Sequence, residues 1–259
     1  MMIFKQFYKW KPKIASFFKE GETIIIGHRG APFLAHENTL ESFNQAFKAN
    51  LKGVELDIQL SKDENLVIFH DWEIKTNNQI FRKISSLDYL DISLISKYND
   101  FQIPLLKDLI KILPNNSFLN IEIKSMKIFN FKLEKILIKL LTESNILNRV
   151  IISSFNPFIL NRIKKNNAKI ITALLWTNEN SPLLINSPLW VWFCKPDGFH
   201  IDFNYMDEKI INWVKNKKMS LLSYTVNNKK DYLWAKKMNL NGIFTDNPNL
   251  LSKNKNNEI

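Results

Sequence analysis

The chain has 259 residues, a length for one large α/β domain or two small ones, and its 45% hydrophobic and 24% charged residues exclude a disordered chain. Cys194 is the one cysteine, which excludes an internal disulfide; with no motif around it, it reads as a small packed residue. Net charge is +11, yet the lysines are scattered among asparagine and isoleucine with no nucleic-acid motif, so nucleic acid is not an expected partner.

Residues 1–22 are basic and lack the uninterrupted apolar stretch of a secretory signal. Phe4, Phe7, Trp10, Ile14 and Phe17 recur there at helical spacing among lysines. Pro12 and a barrel's need for a covering segment favour packing on a closed barrel end over a helix lying on a membrane surface. No run approaches the roughly 18 apolar residues of a membrane span, and a cytoplasmic protein is expected.

TIIIG (23–27) predicts a first strand, and NTLESFNQAFKAN (38–50) a helix capped by Asn38 or Thr39. GVELD (53–57) predicts a second strand. The run LVIFHD (66–71) follows too closely for a parallel crossover, which takes about a dozen residues or more, so it returns antiparallel as a hairpin. With the turn at KDEN, residue 57 is expected opposite residue 70, and Asn65 supplies the left-handed position. Residues 72–103 read as an irregular insertion.

Helical patterns then alternate with the runs FLNIEIK (118–124), RVIISSF (149–155), KIITALLW (169–176), DGFHID (197–202), LLSYTVN (221–227) and GIFTD (242–246). A Pro- and Trp-rich connection, SPLLINSPLWVWFCKP, precedes DGFHID. Eight parallel strands with intervening helices predict a (β/α)8 TIM barrel over residues 23–250, with a β-hairpin extension and a small insertion after the second strand. Residues 251–259 form a polar tail.

Active sites of such barrels lie at the C-terminal strand ends, and polar residues gather there. His28 and Arg29 follow strand one, Glu55 and Asp57 end strand two, and Glu122 and Lys124 end strand three. His200 and Asp202 end strand six, Tyr224 lies late in strand seven and Asp246 ends strand eight. Glu55 and Asp57, two apart on a strand, point to the same side. With Glu122 from the neighbouring strand they offer three hard oxygen ligands and no thiolate, which suits one Mg²⁺ or Ca²⁺. Arg29 and Lys124 would bring positive charge to a phosphate, and His28 and His70 could act as general acid and base.

At these residues the sequence resembles the glycerophosphodiester phosphodiesterase family. The resemblance rests on HRG (28–30), ENT (37–39), GVELD (53–57), VIFHD (67–71), IEIK (121–124), SSF (153–155) and TDNP (245–248), in the family's order. It implies metal-dependent hydrolysis of a small glycerophosphodiester, such as glycerophosphocholine or glycerophosphoethanolamine, to sn-glycerol 3-phosphate and an alcohol. By the same resemblance Glu55, Asp57 and Glu122 match the metal ligands and His28 and His70 the acid/base pair. Arg29 and Lys124 match phosphate contacts, Glu37 matches the ENT glutamate, and Phe155 and Tyr224 fall among substrate-binding positions. This chain departs from the family in having His36 before ENT instead of proline, Tyr224 instead of tryptophan, and KDEN where glycine is common. Two other readings compete: a related barrel acting on lysophospholipids or sphingolipids at a membrane, and a non-catalytic phosphodiester-binding barrel.

Overall fold

A computed structural model of the chain describes residues 10–126, 128, 131–178 and 189–251. The elements run β1 (Ile24–Gly27), α1 (Leu40–Lys48), β2 (Gly53–Leu60), β3 (Leu66–Ile68), β4 (Glu73–Lys75), β5 (Phe81–Lys83), α2 (Tyr89–Tyr98) and α3 (Leu106–Ile112). They continue β6 (Phe118–Ile123), α4 (Lys132–Glu143), β7 (Val150–Ser154), α5 (Pro157–Asn166), β8 (Ile171–Trp176), α6 (Leu189–Cys194) and β9 (Gly198–Asp202). The chain closes with α7 (Glu208–Asn216), β10 (Ser220–Tyr224), α8 (Lys229–Lys237) and β11 (Gly242–Thr245).

β1 pairs in parallel with both β2 and β11, and the order β2-β6-β7-β8-β9-β10-β11 completes the circle, so eight parallel strands close into the expected barrel. Both faces of the barrel strands are buried, one filling the barrel and the other meeting helices, so strands such as β1 (IIIG) and β8 (ITALLW) are largely apolar runs. Ile24, Ile26, Phe118, Ile151, Ala173, Leu222 and Phe244 form an inner cluster. Gly53 makes room for it, since a Cβ there would lie 2.4 Å from the Phe118 ring. Outside, Phe43 and Ala46 of α1 and Leu133, Leu137 and Leu141 of α4, at helical spacing, pack against the strands.

Residues 10–20 carry no helix, contrary to the spacing of Trp10, Ile14 and Phe17. Pro12 holds its predecessor extended, and the Lys13 amide donates to Asp197 Oδ1 at 2.9 Å instead of into a helical ladder. Ala15 and Phe18 are buried in the inner cluster, and Phe17 stacks on Phe118 with centroids 3.9 Å apart. Phe118 starts its strand and Asp197 precedes β9, so this segment lies over the N-terminal mouth of the barrel. Phe4 and Phe7, and the tail from residue 252, lie outside the described residues.

The hairpin after β2 forms, shifted by one residue: Ile58 pairs with Ile68, so Asp57 faces Phe69 and not His70. The turn is centred on Asp63, whose carboxylate is gripped by Ser61 Oγ and Asn65 Nδ2, and Glu64 rather than Asn65 takes the left-handed conformation at φ 67°. Residues 72–103 are also more regular than expected, holding the β4–β5 hairpin and α2 around Ile74, Ile84, Leu87, Ile92 and Ile103. The Trp-rich connection contains α6, which buries Val191 and Cys194. Burial pushes the Cys194 thiol up to about 12, as befits an inert packed residue.

Candidate active site

The first βα connection is built for close approach. Arg29 and Gly30 both have positive φ, 50° and 93°, and a Cβ on Gly30 would lie 2.4 Å from Ser42 Oγ. This left-handed turn points the Arg29 amide at Glu55 Oε2, 2.9 Å away, and leaves His28 over the barrel mouth. Thr39 caps α1, accepting from the Ser42 amide, which frees Asn38 for another task. Its Nδ2 donates to Asp57 Oδ2 at 2.9 Å and its Oδ1 accepts from the Asp57 amide at 3.3 Å.

Asp57 and Glu122 are direct partners across the β2–β6 ladder, and Glu55 lies two residues earlier on the same face. All three are buried, and one oxygen from each lies within 4.8 Å of the others. Burial and the neighbouring Asp57 charge push the Glu55 carboxyl up to about 8. Burial also raises Glu122, against the pull of the Lys124 ammonium. Asp57 goes the other way: burial works to raise it, but Lys124 and Arg29 outweigh that and hold it below the usual carboxylate range.

Lys124 Nζ lies 2.8 Å from Glu122 Oε1 and 3.5 Å from Asp57 Oδ1. Arg29 Nη1 donates to Glu37 Oε1 at 2.8 Å, while its Nε lies 3.4 Å from Asp57 Oδ2 without hydrogen-bond alignment. Two cations face three buried carboxyl groups, one of which burial keeps protonated near neutral pH, and a divalent cation would take that proton's place. The donor set is all oxygen, so the residues present fit a divalent cation such as Mg²⁺ or Ca²⁺.

His28 Nδ1 and Asp246 Oδ1 are 2.7 Å apart, and His28 Nε2 is 4.0 Å from Glu55 Oε2. Burial alone would lower the His28 pKa, but the Asp246 hydrogen bond and the Glu55 charge together raise it. Asp246 is itself fixed by Asn227, whose Nδ2 donates to Oδ2 at 2.7 Å. His70 stands beyond the end of β3, with Nδ1 2.7 Å from Asp71 Oδ1. Each imidazole is thus oriented by one aspartate, leaving Nε2 for chemistry.

These groups meet in one cavity of about 150 Å³, lined on its polar side by His28, Arg29, Glu55, His70, Glu122 and Lys124 and on its apolar side by Phe155, Leu175, Tyr224 and Phe244. Phe155 and Tyr224 pack edge to face at 6.4 Å, and the Tyr224 hydroxyl donates to the Trp176 carbonyl at 2.9 Å. Glu37 does not line the cavity and reaches it through Arg29. His36 stacks on Phe101 outside it, with centroids 4.1 Å apart. His200 is corrected: at the middle of β9 it is buried inside the barrel against Phe244, not on the rim, and burial lowers its pKa to about 3. Asp202 caps the turn at 203–205 by accepting from the Asn204 amide.

Sequence reasoning missed the supporting roles of Asn38, Asp71, Asp246 and Asn227. The signal for the first three was present as the N of ENT, the D of VIFHD and the D of TDNP, each adjacent to or near a site residue; Asn227 had none.

The glycerophosphoryl diester phosphodiesterase profile matches residues 28–250. The chain belongs to this family. It is 32% identical over 241 residues to a glycerophosphodiester phosphodiesterase of Caldanaerobacter subterraneus subsp. tengcongensis, covering 89% of this chain and 96% of that protein. Among solved structures, the glycerophosphodiester phosphodiesterase of Thermotoga maritima is 25% identical with TM-score 0.72, covering 88% of this chain and 96% of the other. A phosphodiesterase of Oleispira antarctica in complex with the product sn-glycerol-3-phosphate is 24% identical with TM-score 0.75, covering 90% and 95%, a likeness of fold. No helix among the described residues is long and apolar enough to cross a membrane.

Proposed function

We propose that this glycerophosphodiester phosphodiesterase family member hydrolyses glycerophosphodiesters to sn-glycerol 3-phosphate and an alcohol. In this reading Glu55, Asp57 and Glu122 hold one divalent cation, Mg²⁺ or Ca²⁺, and His28 and His70 exchange protons with the substrate. The observation that carries the reading is a buried carboxylate triad, two of whose members, Glu55 and Glu122, share one cavity with two aspartate-oriented histidines. The product bound by the Oleispira protein supports the same product here. When bound, the cation polarises the phosphoryl group and the adjacent glycerol hydroxyl.

Arg29 and Lys124, each between a triad carboxylate and the cavity, orient the phosphate. His28, the more buried of the two histidines, takes the proton of the glycerol hydroxyl as that oxygen attacks phosphorus. The bond from phosphorus to the alcohol oxygen breaks, and His70 gives its proton to that oxygen. Water then opens the cyclic phosphate with the two roles reversed. Attack and departure lie roughly in line, so base and acid belong on opposite sides of the phosphate.

A coupled assay for released sn-glycerol 3-phosphate tests the reading. Activity is expected to vanish in chelator, return with Mg²⁺ or Ca²⁺, and stay absent in Glu122→Ala with metal restored. Full activity after exhaustive chelation would overturn it. A small-molecule substrate and one buried, unpaired cysteine support a cytoplasmic location.

A further inference from the structure

A second, larger cleft of about 380 Å³ adjoins the cavity and shares Lys124 with it. Leu60, Trp72, Met126 and Leu133 supply apolar walls, and Lys83 of β5 lines it as a second cation. None of its described lining residues is acidic. Trp72 is 48% exposed and follows His70 by two residues. Gln59, also in the lining, ties the intervening segment down by donating to the Phe69 and Asp71 carbonyls at 3.0 and 2.7 Å.

His70 therefore stands at the boundary between the two spaces, with the triad and His28 on one side and the Trp72 cleft beyond. The 150 Å³ cavity that holds Glu55, Glu122 and His28 suits a glycerol phosphate. An alcohol that receives its proton from His70 departs on the His70 side, toward the Trp72 cleft. We infer that this cleft is the leaving-alcohol subsite, and that Lys83, which lines it together with Lys124, selects an alcohol bearing its own anionic group over a cationic one such as choline. The inference rests on the proposed function and adds to it the class of alcohol.

Lys83 is exposed and has no carboxylate within ion-pair distance among the described residues, so its charge is available to a bound group. At partly solvated separations of about 5 Å, one unit charge changes binding by roughly 3- to 20-fold. Steady-state kcat/KM is compared for glycerophosphocholine, with a cationic alcohol, glycerophosphoglycerol, with a neutral one, and a bis(glycerophospho)glycerol, whose leaving arm carries a second phosphate.

Wild type is expected to favour the anionic arm over choline, and Lys83→Glu to reduce or invert that ratio by about 10-fold or more, the charge being reversed rather than removed. Lys237→Glu, the same charge change on the exposed end of α8, should leave the ratio unaltered. Trp72→Ala should raise KM for all three diesters more than it lowers kcat. An unchanged ratio in Lys83→Glu, or an equal shift in Lys237→Glu, overturns the subsite while leaving the phosphodiesterase reading standing. Release of no sn-glycerol 3-phosphate from any of the three by wild type with metal overturns both.

Discussion

Asp246 illustrates how much of the site is carried by residues that need not touch a substrate. Its Oδ1 fixes His28 Nδ1 at 2.7 Å and its Oδ2 is held by Asn227, so the imidazole has one tautomer and one direction. Asp246→Asn keeps the shape but removes the charge that favours the imidazolium. Its kcat is expected to fall roughly 10- to 100-fold with little change in metal affinity, read by kinetics beside calorimetric titration of the cation. The triad makes a complementary prediction. Glu55 is pushed up to about 8 by burial and by Asp57, so in the metal-free protein it is protonated at neutral pH, a neutral form that Glu55→Gln mimics. In chelator, Glu55→Gln should melt no lower than wild type. On adding saturating Mg²⁺ or Ca²⁺, wild type should gain several degrees and the variant almost nothing. Equal cation-induced shifts in the two proteins would remove Glu55 from the ligand set. The triad's alternation was legible in GVELD and IEIK; that Asn38 leaves its capping option to Thr39 and grips Asp57 was not, because both are common uses of Asn before a helix.

At the scale of elements, the turn after β1 decides where His28 and Arg29 point. Gly30 has φ 93°, and an added Cβ would meet Ser42 Oγ at 2.4 Å and Ser42 backbone carbon at 2.7 Å. Gly30→Ala should therefore cost about 2 kcal/mol or more by urea unfolding, and lower kcat as the Arg29 amide is displaced from Glu55. Retention of both stability and rate would show the turn to be dispensable. The β2–β3 hairpin was predictable from spacing alone, yet its register slipped by one residue from the simplest expectation. Turn chemistry chose it: Ser61, Asp63 and Asn65 satisfy one another, and the ladder counts from that knot. His70 still reaches the cavity because it lies past the last paired residue, where the pleat no longer dictates its side.

For the whole molecule, the barrel interior adds a pH dependence. His200 is fully buried with neither ring nitrogen hydrogen-bonded among the described residues, and burial lowers its pKa to about 3. The folded state thus keeps it neutral while the unfolded chain takes up a proton near pH 6.5. A depressed folded value means its contribution is complete above about pH 6.5 and is lost as pH falls toward 3, at roughly 1.4 kcal/mol per unit. By pH 5 that amounts to about 2 kcal/mol relative to pH 8. His200→Leu should flatten this part of the urea-midpoint profile between pH 8 and 5; an unchanged slope would show that His200 does not carry it.

Strand and helix order, the barrel and the triad's positions followed from periodicity and motif order, because these are local patterns repeated along the chain. Tertiary structure alone decided what depended on which side chains meet from distant strands. It sank His200 at the middle of β9, since a rim position depends on where the sheet ends rather than on what the residue is. It left residues 10–18, expected over the closed barrel end, without a helix there, because the Lys13 amide bonds Asp197, far along the chain, instead of a helical partner. It also opened the cleft between Trp72 and Lys124, whose walls come from three segments that no window of sequence contains together.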